Sequence, residues 1–289
     1  MTDQSRQNRD LEWCIRQSPL VAASSEPSLF PTDEWFEEQS IAPDTLVAAP
    51  PPRFRLGIHF EKIFQAWLEA HTDYRLAAAN LQIQGLNRTI GEFDLLVESS
   101  NEIEHWELAI KFYINCESPE DPARWYGPDP KDSLKSKIDR LLSHQLMLGQ
   151  RDEAIQLLAG MDMRIHRTRC IVKGRLYHPW GLYHQEDRSS PLPKIVNEHH
   201  LRGWWLASDE ISPLAQLNIA YLDKRFWLSP VTSDDELATL DPDELRHFLA
   251  NTNQIAPQFV ILDEGRNEVS RGFILKPEWF AAVAEQADT

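Results

Sequence analysis

Two short segments carry a carboxylate each into apolar sequence, and they restrict this chain more than any other feature. They are Gly91-Glu92-Phe93-Asp94-Leu95-Leu96-Val97 and His105-Trp106-Glu107-Leu108-Ala109-Ile110-Lys111, with Asp94 and Glu107 13 positions apart. Both alternate with the period of a strand. In the first, Phe93, Leu95 and Val97 are expected on one face, Glu92 and Asp94 on the other. In the second, Trp106, Leu108, Ile110 and Phe112 form the apolar face, opposite His105, Glu107, Ala109, Lys111 and Tyr113. Ser99, Ser100 and Asn101 supply a hairpin turn. An in-register hairpin brings Asp94 and Glu107 out on one face, side by side. Acidic groups in apolar strands are costly unless something pairs with them, and a divalent cation is a ready partner for two converging carboxylates.

The surrounding sequence supplies the layers such a hairpin needs. Residues 9–17 read as a short helix, and residues 18–53 as a Pro- and Ser-rich acidic connection ending in Ala49-Pro50-Pro51-Pro52, with Trp35 and Phe36 pinning it down. Leu56, Phe60, Ile63, Phe64, Trp67 and Leu68 recur at helical spacing, with Glu61 at the edge of the stripe. A strand is expected over 74–84, then a loop with Gly85 and Asn87. A helix over 132–148 would bury Leu134, Ile138, Leu141, Leu142 and Leu146, and a strand over 164–177 follows. The C-terminal third reads as strands near 217–229, 257–263 and 269–275 with helices near 240–250 and 277–287. Those strands can extend the sheet, form a second lobe or make a homodimer contact. The expected division is 1–53 (N-terminal helix and connection), 54–180 (α/β core) and 181–289 (C-terminal α+β extension).

Charge narrows the function classes. The chain of 289 residues carries a formal charge of −16, which opposes indiscriminate binding to a polyanion. From Lys131 to His178, however, ten Lys/Arg stand against five Asp/Glu, a local net of +5 that leaves −21 elsewhere. Local potential steers a charged partner, so nucleic acid is the expected partner through region 131–178. No stretch of about 18 apolar residues offers a membrane span, and the N-terminus lacks an apolar signal region. Cys14, Cys116 and Cys170 form no CxxC pair. These features lead to the expectation of a cytoplasmic protein.

A strand carboxylate, a turn and a second strand carboxylate, preceded by a helical Glu and followed by a basic helix, suit metal-assisted phosphodiester cleavage. Mg²⁺ takes oxygen ligands and keeps several waters, so two or three carboxylates suffice. The run from Gly91 to Val97 followed by Glu107-Leu108-Ala109 resembles the core of the PD-(D/E)XK nuclease superfamily, and Gly57-Ile58-His59-Phe60-Glu61 resembles its first helix. More closely, the chain resembles a bacterial family catalogued as domain of unknown function 1853. The matching pieces are Arg9-Asp10-Leu11-Glu12-Trp13, Leu56 through Leu68, His105 through Tyr113, Trp125-Tyr126-Gly127-Pro128 and His144-Gln145-Leu146.

The resemblance implies an α/β fold with a restriction-endonuclease-like core, a mixed central sheet flanked by helices, plus an additional C-terminal α+β portion. It also implies a site with Asp94 and Glu107 catalytic, Glu61, Asp94 and Glu107 holding Mg²⁺ (or Mn²⁺), and Lys135, Lys137, Arg140 and Gln145 facing nucleic acid. The pattern departs at one place. The superfamily sets a Lys two residues after the acidic one, where this chain has Ala109; Lys111 lies two further along the same face. At about 3.3 Å per residue, Lys111 is roughly 13 Å from Glu107. It is the sequence's candidate for the third catalytic group. The alternative expectation is a degenerate nuclease-like fold used for nucleic-acid binding or protein interaction.

Overall fold

The computed structural model describes residues 2–21, 29–48, 54–86, 88–185 and 191–287; Ala49 to Pro52 and Asn87 of the expected loops lie outside them. Elements are numbered in chain order. The N-terminal part holds α1 (Thr2–Arg16), α2 (Asp33–Glu37) and α3 (Leu56–Ala70), then β1 (Tyr74–Gln84), β2 (Thr89–Ser99) and β3 (Glu102–Asn115). The middle holds β4 (Trp125–Tyr126), α4 (Leu134–Arg140), α5 (Asp152–Gly160), β5 (Ile165–Pro179) and α6 (Trp180–Tyr183). The rest comprises β6 (Leu201–Ala207), β7 (Asn218–Tyr221), β8 (Thr239–Leu240), α7 (Pro242–Asn251), β9 (Gln258–Leu262), β10 (Glu268–Leu275) and α8 (Pro277–Ala287).

These strands form one mixed sheet in the order β1-β2-β3-β5-β6-β10-β9-β7-β8, with β4 paired to the end of β3. Its centre is parallel (β3, β5, β6, β10), and each wing is antiparallel. The strands of the C-terminal third therefore continue the sheet that contains the carboxylate hairpin. At the hairpin turn Ser100 and Asn101 have φ of 52° and 65°, the left-handed pair whose twist matches the flanking strands. Central β5 runs buried from Cys170 to His178, as a strand covered on both faces must.

Helices cover both faces. On one, Phe60, Phe64 and Trp67 of α3 pack with α1 and Phe36 of α2 onto Leu95, Val97, Trp106 and Leu108. On the other, Leu134 and Ile138 of α4 and the following Leu141 pack onto Ala109, Tyr113, Cys170 and Val172. Leu158 of α5 joins Phe93 and Leu96. In the C-terminal half, Trp279 of α8 covers one face and Leu245 and Leu249 of α7 the other.

Three local expectations need correction. Phe93 does not share a face with Leu95 and Val97; it packs with Leu96 and against the His105 ring, 4.7 Å between centroids. The helix expected over 132–148 leaves α geometry at Arg140 and continues as a π turn, Leu141–Gln145, closed by the Leu146 N–H on the Leu141 carbonyl at 3.0 Å. The extra residue per turn keeps Leu141 and Leu146 buried and turns Leu142 outward, 37% exposed. The strand expected near 217–229 stops at Tyr221, where Asp223 caps a 3₁₀ turn, Lys224–Phe226.

A buried ionic cluster ties the chain's ends together. Asp10 of α1 accepts from the Ser229 N–H and hydroxyl, and Arg6 pairs with Asp10 and Asp235. Nearby Arg271, fully buried, donates to Glu268 (2.6 Å) and to the Trp227 and Ser229 carbonyls. Burial alone would raise the Glu268 pKa; the Arg271 charge and hydrogen bonds outweigh it, so the pKa lies below its ordinary value. A carboxylate lowered in the folded state contributes stability above its unfolded pKa and loses it as pH falls through the folded one. Glu268→Gln should therefore cost ~3 kcal/mol at pH 7, since it leaves a buried guanidinium uncompensated. Urea unfolding should show that deficit shrinking as pH falls below the ordinary carboxyl value of 4.5. A deficit constant with pH would contradict the ionic account.

Candidate active site

The carboxylates sit where the β1–β2 ladder skips a pair and the β2–β3 ladder ends. On β1, Asn80 has φ of 51°, a left-handed conformation that Asn enters more readily than most residues. The β1–β2 ladder pairs Ala79 with Leu95 and Leu81 with Phe93 but skips the residues between, which sets Asn80 across from Asp94. The β2–β3 ladder runs from Ser99↔Glu102 to Leu95↔Trp106. One step on, the Asp94 side chain replaces the backbone: its Oδ2 accepts the Leu108 N–H at 2.8 Å. This break accounts for Phe93 changing face. Glu107, opposite Asp94 on β3, lies beside Cys170 on β5.

The two carboxyls lie close enough to influence each other, and Gln145 from the π turn favours the ionised form of Glu107. Glu107 is 1% exposed, whereas Asp94 is partly open to solvent. Burial, with the Glu107 charge added, pushes the Asp94 pKa well above the usual carboxylate range. Burial pushes Glu107 up too, and Lys137 is the main counterweight. Lys137 projects from α4 and donates to Gln145 Oε1 at 3.1 Å. Burial lowers the Lys137 pKa, and Glu107 partly restores it.

Beneath them, His105 is completely buried. Its Nε2 is 3.7 Å from Glu107 Oε2, and that oxygen and both ring nitrogens have no hydrogen-bond partner. Burial depresses the ring to a pKa of about 4, so it is neutral beside the pair. Glu61 of α3 stands at the open side. Its carboxylate takes the Asn80 amide at 3.1 Å, Glu92 takes the same amide at 3.4 Å, and the Glu61 charge raises both pair members.

The structure thus gathers Glu61, Asp94, Glu107, Lys137 and Gln145. It places the other candidates elsewhere. Lys111 Nζ binds Asp132 at 2.5 Å, and its charge reaches Lys137. Lys135, exposed on α4, pairs with Asp139, and Arg140 is exposed at the helix end. Sequence reasoning passed over Asn80, Asp132 and the depth of His105. The only signal for His105 was its place two residues before Glu107 on one strand face.

Among the described residues, no three His, Cys, Asp or Glu side chains are arranged to hold a metal ion together. Two adjacent carboxyls with a raised affinity for positive charge, one bearing an orphaned oxygen, still fit a cation that keeps most of its waters. Without such a cation the pair retains a proton up to about pH 7.

A family model described as Domain of unknown function (DUF1853) matches residues 9–275, and the chain belongs to that family. No curated protein and no solved structure matches it.

An acid whose pKa is raised by folding binds its proton more tightly folded than unfolded, so stability falls as pH rises from about 4 through about 7. Glu107→Gln should then stabilise the metal-free protein by ~1–3 kcal/mol at pH 8. The gain should vanish near pH 4 in thermal melts with EDTA. A variant less stable than wild type at pH 8 would show that the pair is not under charge strain.

Proposed function

We propose that this chain is a divalent-cation-dependent phosphodiesterase of the PD-(D/E)XK type that cuts nucleic acid. The observation that carries the reading is the meeting of Asp94 and Glu107, both short of positive charge, with the Lys137 ammonium at a break in the sheet. The order of elements supports a restriction-endonuclease-like core: a helix bearing Glu61, an antiparallel β1–β2–β3 meander, then a crossover through α4 to parallel β5.

In this mechanism Asp94 and Glu107 would hold Mg²⁺ or Mn²⁺, with Glu61 reaching it through water. The bound ion supplies a water of lowered pKa and neutralises charge developing on phosphorus. The protein's own contributions are positional. The Leu108 N–H fixes one Asp94 oxygen and leaves the other for the site. Gln145 holds the Lys137 ammonium, and Lys137 would place a positive charge where the phosphate oxyanion develops. Lys111, neutralised by Asp132, is assigned no chemical step. The second reading, a fold that binds without cutting, draws on the lack of a third ligand in place.

Calorimetric titration with Mn²⁺ separates the two. Wild type should give a saturable heat that is lost in Asp94→Ala/Glu107→Ala; identical traces would overturn the metal site. With linear, single-stranded and branched substrates, Lys137→Met should lower the rate about 10²- to 10³-fold while Mn²⁺ binding persists. Lys111→Met should stay near wild type. The reverse ranking would restore Lys111 to the role the strand position suggested.

A further inference from the structure

A groove of about 720 Å³ opens along β5 and the turn after α4, within the ~300–1,000 Å³ range of small-ligand sites. Leu142, Leu146 and Met147, from the turn after α4, line it together with His166, Arg167 and Thr168 of β5. The elements that wall it also carry neighbours of the site. Leu146 follows Gln145, Thr168 pairs with His105, and Cys170, two residues on, pairs with Glu107.

Its chemistry is mixed in a particular way. Leu142 and Met147 are 37% and 45% exposed, apolar surface that the π turn rotates out of the core. Arg167 and Arg169 both lean on one carboxylate, Glu104, which also accepts from the Trp106 indole. One negative charge serves two guanidiniums, so the wall is net positive, and the Arg167 side chain remains 54% exposed. The exposed His166 ring is oriented by the Ile103 N–H on Nδ1, 3.4 Å.

We propose that this groove binds an unpaired nucleic-acid strand next to the phosphate to be cut, an inference that rests on the phosphodiesterase reading. A duplex turns its bases inward and offers only phosphates and groove edges, whereas an unpaired strand offers base faces as well. Cationic side chains beside exposed apolar ones match that second pattern. Arg167 takes a phosphate; Leu142, Met147 and His166 take a base.

Fluorescence anisotropy of the full chain in EDTA, with a labelled oligothymidylate and with a duplex of the same length, tests this without cleavage. The single strand should bind more tightly. Met147→Glu and Arg167→Glu should each weaken it about tenfold, and Arg167→Glu should reduce the salt slope by about one ion. Both positions are exposed, and unchanged thermal melts will confirm folding. Equal affinity for the two forms, or variants that bind like wild type, would overturn the groove. Wild-type cleavage of the same strand with Mn²⁺ tests the underlying reading separately. Groove-dependent binding without cleavage sinks the hydrolase and leaves the groove. Cleavage that both variants leave untouched sinks the groove and leaves the hydrolase.

Discussion

A carboxyl pair that folding forces together carries two negative charges in a buried site only at a cost in stability, and much of the local structure answers that constraint. Asp94 and Glu107 sit at one level of the sheet because the β2–β3 register places them there. Two neighbours reduce the charge strain: the Leu108 N–H caps an Asp94 oxygen and Lys137 supplies a positive charge, while His105, held neutral by burial, supplies none. None of these removes it, since both pKa values remain raised. Retaining an uncompensated buried pair is what a site for an external cation requires, and the cost falls on stability.

The irregularities of the fold gather around that level. Asn80 is left-handed across from Asp94, the β2 side chains change face there, and α4 gives way to a π turn that swings Gln145 inward and Leu142 outward. The β1–β2 ladder continues on either side, whereas the β2–β3 ladder ends at Leu95↔Trp106. Had β1 and β2 kept strict alternation, Phe93 would pack with Leu95, and the Phe93–His105 contact that closes the floor of the site would be lost. The same π turn also exposes the apolar wall of the adjoining groove, so one local distortion shapes two surfaces.

What was legible in the sequence follows from how far each signal reaches. Period-2 and period-3.6 patterns are local, and they located α3, β1, the hairpin and β5 within a few residues. They fail where a backbone departs from its period: alternation misplaces Phe93 and the helical stripe misplaces Leu142, because a skipped strand pair and a π turn leave no mark in composition. β6, Leu201–Ala207, escaped notice because Gly203 and its paired Trp residues break the usual alternation. There a Cβ on Gly203 would lie 2.4 Å from the Tyr177 ring, so close packing against β5 selects the glycine. For the site, the carboxylates were legible because they interrupt apolar strands. Their cation was not, because Lys137 is 30 residues from Glu107 and meets it only through the packing of α4.

On the proposed nuclease reading, that packing also gives a reason for the lysine's absence from position 109. Ala109 faces the same side as Glu107 and is buried against Leu134, Ile138 and Leu141. A lysine there would have to push its stem into the contact between α4 and the sheet and lift the helix away. The small side chain lets α4 close down, and closure is what carries Lys137 over Glu107. Farther along the strand, Lys111 lies past this contact, within reach of Asp132 just before α4 and out of the pair's immediate shell. A strand lysine and a closely packed α4 are therefore alternatives at this site. With α4 packed, that helix itself delivers the positive charge, through Lys137 in its last turn.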